Sequence, residues 1–199
     1  MQFRLTYDGT LPAAAPNRSR TDEKHVIRCH LHPQLRELIR THQTLKGRLG
    51  PDPSIPLDHP KNRPYVEKIG DQFARCGYRF VPLIGPSVRF FGEVEACGLD
   101  ILFLRRDAPG NVIRHGGDID NRLKVLFDAL RVPADCSEVP KGAIPTADED
   151  PLYCLLQNDS LITNVSVTTD RLLTPLGSEH IHDVRLIMHV KTLALGDDL

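Results

Sequence analysis

The sequence predicts an α+β fold, a small mixed sheet packed against helices, on three observations. Apolar residues recur at helical spacing in separate stretches, a strand-rich block fills the middle of the chain, and further strand-like runs lie near both ends. The resulting order, strand, two helices, several strands, helix and two more strands, points to an α+β sandwich. With 199 residues, 40% of them hydrophobic and 26% charged, the chain can form one domain with a real core. Residues 1–199 are read as that single domain.

FRLTYDGTL, residues 3–11, alternates apolar and polar side chains and fits a strand, whereas the Pro- and Ala-rich, then charged, segment after it suits an exposed loop. A first helix is expected to open at Pro33, with Leu35, Leu38, Ile39, His42 and Leu45 at helical spacing and a stop at Gly47 or Gly50. Prolines at 51, 53, 56, 60 and 64 exclude regular structure there. A second helix follows in YVEKIGDQFARCGY, where Val66, Ile69, Phe73 and Cys76 share a face and Gly77 supplies the stop. Runs of β-branched and aromatic residues between 78 and 106 then predict several strands.

The clearest helix lies in HGGDIDNRLKVLFDAL, residues 115–130, where Leu123, Leu126, Phe127 and Leu130 recur at i, i+3, i+4 and i+7. Residues 132–157 begin with VPADCSEVPKGAIPTADEDP, too rich in Pro, Gly and acids for core structure, and are read as a loop insertion. YCLLQNDSLITNVSVTT is read as a turn or short helix that delivers Asn158 and Asp159 to the start of a strand, and VRLIMHVKTLAL as another strand.

Composition narrows the functional classes. The net charge of −1 gives no global attraction to nucleic acid, so any such contact needs a local basic patch. The five cysteines form no C-x-x-C pair, so they are expected to be reduced and mostly buried, without a disulfide framework or a thiolate zinc site. No apolar run of about 20 residues occurs and the N-terminal stretch lacks a secretory pattern. A cytoplasmic protein without a membrane partner is expected. Phosphate-binding loops and the G-x-S-x-G elbow are missing from the sequence.

The opening of the third helix carries more charge than a cap requires. Asp118 and Asp120 stand at i and i+2, and Asp120, Lys124 and Asp128 at i, i+4 and i+8, roughly one helical face away from the apolar stripe. Capping and the helix dipole account for a single aspartate. Several hard oxygens on one side suit Mg²⁺, which takes one or two carboxylates along with waters and phosphate oxygens. A neighbouring lysine would stabilise charge developing on a phosphate. Asp159, whose ordinary role is that of a turn residue, supplies another acid ahead of a strand.

At Asp118-x-Asp120-Asn121, Lys124, Asp128-Ala129-Leu130 and Asp159 the chain resembles the RusA-type Holliday junction resolvases, from about Gly98 to Val167. The resemblance implies a homodimeric α+β endodeoxyribonuclease that nicks branched DNA with Mg²⁺, for which Mn²⁺ can substitute. It implies metal binding by Asp118, Asp120 and Asp159 and a catalytic role for these acids with Lys124, by metal-assisted phosphodiester hydrolysis. Asn158 stands where the family commonly has another acid, and residues 132–157 replace a short turn.

Arg105, Arg106, Arg114, Arg122 and Lys141, with His115, are the candidates for a local DNA-binding track, their ordinary role being solvated surface. His30-x-His32 and His180-x-His182 would each put two imidazoles on one side of an extended segment. Phe90 and Phe91 offer rings for base stacking, but adjacent aromatics in a strand point to opposite faces, so at least one of them is expected in the core. Two other functional classes remain open: a catalytically weak DNA- or protein-binding module of the same fold, and a metal phosphohydrolase acting on a small substrate.

Overall fold

The computed structural model describes residues 1–15, 17–43, 45, 64–88, 94–106, 119–173 and 183–194. The first strand, β1 (Gln2–Thr10), pairs antiparallel with the last, β7 (Asp183–Ala194), which pairs antiparallel with the long strand β4 (Val94–Arg105). The strand β6 (Ile162–Arg171) runs parallel to β4 and completes a four-stranded sheet in the order β1-β7-β4-β6. Alternation along these strands divides the sheet faces. Leu5 and Tyr7, Leu99, Ile101 and Phe103, and Leu186, Met188 and Val190 are buried on one face. Arg4, Thr6, Asp8, Asp100, Arg185 and Lys191 lie on the other, where Arg185 pairs with Asp8 at 2.8 Å.

A smaller sheet is built from β2 (Ala74–Arg75), β3 (Tyr78–Ile84) and β5 (Leu152–Leu156), with β3 and β5 parallel. Every residue of β5 is buried, as expected for a parallel strand covered on both faces. β5 falls within the residues expected to form a loop insertion, and takes up YCLL, expected to form a turn or short helix. LYCLL carries apolar residues on both strand faces, so its pairing with β3 overrides the polar composition of the residues before it.

α1 (Thr21–Thr41) packs on β1 and β5, and on α3 (Ile119–Leu130); α2 (Tyr65–Gln72) packs on β3. α1 begins twelve residues earlier than Pro33 and carries that proline in its interior (33 − 21 = 12). The stripe Ile27, Leu31, Leu35 and Ile39 runs straight through it, each of these residues at most 2% exposed. Burial of each such side chain stabilises by about 1.5–3 kcal/mol, comparable with the ~3 kcal/mol penalty of one interior proline. Pro33 itself lies on the exposed face, where solvent can serve the carbonyl its ring leaves unbonded. Because His30 and His32 are both helical, they diverge rather than point to one side: His30 is exposed and His32 buried.

α2 ends before Cys76, which instead forms with Gly77 the two-residue connection between β2 and β3. Both residues have positive φ, 48° and 84°, the conformation of a type I′ hairpin turn. Cys76 is bonded to Cys136, and both cysteines are exposed, contrary to the expectation of reduced thiols. Their separation of 60 positions hides the pairing from any reading of spacing. Cys97 and Cys154 are free and buried, Cys29 free and partly buried.

The core face of α3 is also rotated from the expected stripe. Arg122, Val125, Leu126, Ala129 and Leu130 are buried, whereas Leu123 and Phe127 are only partly covered. The helix touches α1 as well as β5, so its contact face is broader than one apolar row.

Candidate functional site

The first turn of α3 is fixed by the segment that follows β1. The Ala14 N–H donates to the Asn121 carbonyl at 2.9 Å, and the Arg122 guanidinium donates to the Leu11 carbonyl at 2.8 Å. With Arg122 inside, the helical period turns Asp120 and Lys124 outward, their side chains 60% and 65% exposed. The Lys124 ammonium lies 3.9 Å from an Asp120 oxygen and 3.5 Å from the Asn121 amide oxygen, to which it donates. An exposed pair of this kind contributes only about 0–1 kcal/mol, so the fold has little need of it.

Further along the same face the charges are occupied. One oxygen of Asp128 meets Lys24 at 2.8 Å and the other meets Arg131 at 3.1 Å. Arg131 also donates to both oxygens of Glu138, at 2.8 and 2.9 Å. Burial pushes the Glu138 carboxyl up, but the bonds from Arg131 and from the Ala134 N–H outweigh it and hold the group below its usual range. Burial likewise opposes the Arg131 charge, and Glu138 more than offsets this, raising the guanidinium above its ordinary value.

Beneath this network Arg28, 1% exposed, donates to the carbonyls of Asp128 at 2.9 Å and Arg131 at 3.3 Å. A cation at that position complements the negative end of α3. Arg28, Arg131 and Glu138 were not singled out by sequence reasoning. The available signal for Arg28 was its place beside Ile27 on the apolar stripe of α1, an arginine where the helix faces inward.

Asp159 opens a 3-10 turn, Asp159–Leu161, that packs against α3 and β4. Asn158 caps this turn, its side-chain oxygen accepting from the Ser160 N–H at 3.0 Å. Upstream, the Gln157 N–H donates to the Ile84 carbonyl at 2.8 Å, and its side chain exchanges bonds with Ser87. Asp159 is therefore aimed by the ends of β3 and β5. Its side chain is 46% exposed, and one oxygen stands 4.0 Å from Arg131 Nε.

The structure thus brings Asp120 to Lys124 and Asp159 to Arg131, on a helix and a turn in contact. Asp118, Arg114, His115, His180, His182, Phe90 and Phe91 lie outside the described residues. Among the described residues, no group of three or more His, Cys, Asp or Glu side chains is placed to hold a metal ion. Of the arginines expected on a basic track, Arg122 and Arg105 are interior, 2% and 4% exposed. Arg122 reaches Leu11 through the core, and Arg105 ends β4 at a strand position facing inward. Arg106 is half-buried and Lys141 exposed. No helix among the described residues is long and apolar enough to cross a membrane.

Comparison with family models, with curated proteins and with solved structures finds no match to this chain.

Proposed function

We propose that the protein is a divalent-metal-dependent endodeoxyribonuclease of the RusA type, nicking branched DNA such as Holliday junctions. The observation that carries this reading is the exposed Asp120–Lys124 pair on α3, the helix against which the Asp159 turn packs. Both acids offer carboxylate oxygens to solvent, the hard donor chemistry that Mg²⁺ or Mn²⁺ takes. Asp120 and Asp159, joined by Asp118, would hold the cation, which when bound supplies a Lewis acid for phosphodiester hydrolysis. Lys124 donates positive charge beside Asp120 and stabilises negative charge developing on the scissile phosphate. Asp128 is not a ligand in this reading, because Lys24 and Arg131 use its oxygens.

Arg106, Lys141 and Lys124 are the described candidates for contacts with the DNA backbone, joined by Arg114. Homodimerisation is supported by β6. Its outer edge pairs with no strand among the described residues, and its only charges are the last two positions, Asp170 and Arg171. Edge strands that stay unpaired usually carry charges or proline along their length.

The burial of Arg105 and Arg122 removes two cations from any DNA track and favours a competing reading, a metal phosphohydrolase with a small substrate. One experiment separates the two. Labelled four-way, flap and duplex DNA are incubated with and without Mg²⁺ or Mn²⁺, using wild type and Asp120→Asn, and binding is followed as salt rises. The nuclease reading expects metal-dependent nicking of branched DNA that Asp120→Asn abolishes, with affinity falling steeply with salt. Salt-insensitive or undetectable DNA binding, with metal-dependent hydrolysis of small phosphate esters, would replace it by the phosphohydrolase. Tight, salt-sensitive binding without cleavage would leave a binding module.

A further inference from the structure

The two edges of the four-stranded sheet are finished differently. At the β1 edge the side-chain amide of Gln34, on α1, stands in for a neighbouring strand. Its Oε1 accepts from the Thr6 N–H at 2.9 Å, and its Nε2 donates to the Thr6 carbonyl at 2.7 Å. Thr6 is the middle residue of β1, and the exposed Arg4 and Asp8 flank it. An edge so occupied and charged is closed to a further strand.

At the β6 edge no such plug occurs among the described residues. β6 pairs with β4 on one side only, and alternate residues of a parallel strand direct their N–H and C=O groups to the other. The register with β4 is regular from Asn164 to Arg171, and in that stretch Val165, Val167, Thr168 and Thr169 are β-branched with no proline among them. The apolar face of the sheet also runs out here. Val165 lies beside Leu99 in the register, yet Val165 is 40% exposed and Leu99 fully covered.

We propose that the β6 edge is closed by the β6 edge of a second copy of this chain, antiparallel about a two-fold axis through Val167, giving one continuous sheet of four strands from each copy. This pairing supplies the surface for the homodimer named above and draws on the sheet alone, so its failure leaves the cleavage assay unaffected. A second copy fits because the strand is complementary to itself in that register. On the face of Leu99 and Ile101, Val167 meets Val167, and Val165 of each copy meets Thr169 of the other. On the opposite face, whose side chains are all exposed, Ser166 meets Thr168, a hydroxyl pair, and Asn164 meets Asp170, an amide against a carboxylate. Because Gln34 occupies the β1 edge, assembly stops at two copies instead of growing into an open filament.

The test uses the full chain in sedimentation velocity from about 1 to 100 µM, the range that reads a micromolar Kd, with folding checked by circular dichroism. Wild type should pass from monomer to dimer and form nothing larger. Asn164 is exposed, so its variants leave the fold intact. Asn164→Asp sets like charges opposite each other and should raise the dimer Kd about threefold or more; Asn164→Lys sets unlike charges opposite each other and should lower it by a similar factor. Val167→Cys should link two copies by a disulfide on a non-reducing gel, because directly opposed residues lie within disulfide reach. In Val165→Cys the two thiols are four positions apart along the strand, about 14 Å, and should not link. A folded wild type that stays monomeric throughout leaves this edge to a strand of some other chain and overturns the pairing. Growth beyond the dimer, Asn164 variants that shift Kd in the same direction, or equal linking through positions 165 and 167 would each overturn it as well.

Discussion

His32 should make the protein's stability fall as the solution is acidified through the range just below neutrality. The side chain is 3% exposed, and both ring nitrogens are used. Nδ1 accepts from the Tyr153 N–H at 2.9 Å, and since a backbone N–H can only donate, that nitrogen carries no proton. Nε2 is then the protonated nitrogen and donates to the Asp148 carbonyl at 2.8 Å. Burial is the main reason the imidazole sits below its usual 6.5; the Asp148 carbonyl opposes the shift and the Arg36 charge adds to it. Protonating Nδ1 would set two N–H groups against each other in the core.

With the folded value depressed, the contribution of His32 is fully present above the unfolded value of 6.5 and is lost as pH falls from there toward the folded value. One proton gives a slope of at most about 1.4 kcal/mol per pH unit. His25, also lowered by burial and by Arg28, titrates with the same sign, so the wild-type curve alone does not isolate His32. Urea unfolding of wild type and His32→Phe at pH 7.5, 6.5 and 5.5 does isolate it. The variant should lose about 2–5 kcal/mol at the highest pH, since the Tyr153 N–H and the Asp148 carbonyl are left unbonded. The gap between the two proteins should narrow as pH falls. Parallel stabilities across the three pH values would refute the assigned tautomer and its linkage.

Three other substitutions probe the packing that positions the site. Arg122→Met should cost about 2–3 kcal/mol by leaving the Leu11 carbonyl without its charged donor; in a DNA-binding assay the salt slope should stay unchanged, whereas a phosphate contact would lower it by about 1. Leu126→Ala, at a position fully shielded from solvent, should cost about 2–5 kcal/mol, with a drop in Tm of about 2–4 °C for each kcal/mol. In Gly85→Ala the added Cβ would stand 2.5 Å from Gln157 Cβ and 2.6 Å from its Oε1. Gln157 must then release Ser87, at a cost of about 1–3 kcal/mol, and Mn²⁺ affinity should fall because the adjoining Asp159 turn moves.

Period and composition sufficed for the elements whose burial is one-sided. β1 and β7 alternate along their lengths and were legible, and so was the existence of α3. The errors arose where a local rule met a stronger long-range contact. Pro33 announces a helix start, but the stripe from Ile27 to Ile39 packs on β1 and β5 and carries the helix through it. The polar residues ahead of β5 suggested a loop, and only pairing with β3 makes LYCLL a strand. The Cys76–Cys136 bond depends on two turns that meet only in the folded chain. In the site, the outward aim of Asp120 and Lys124 followed from helical spacing. The interior course of Arg122 did not, because its partner is a backbone carbonyl with no sequence signature.

The same spacing concealed a division of labour along α3. Asp120, Lys124 and Asp128 share a face, yet their surroundings differ in kind. Asp128 and the carbonyls of the last turn are held by Lys24, Arg131 and Arg28, and removing one partner from so enclosed a network leaves charges uncompensated. Asp120 and Lys124, at the other end, are largely solvated and contribute little to holding the fold. Charge at the closed end of the helix is thus accounted for by structure, and charge at the open end is not. That asymmetry is the physical reason to look for chemistry at Asp120 and Lys124. It also explains why Asp120→Asn is an informative variant: it removes a carboxylate charge at little expense to folding, so a loss of metal binding or cleavage can be assigned to the site rather than to the scaffold.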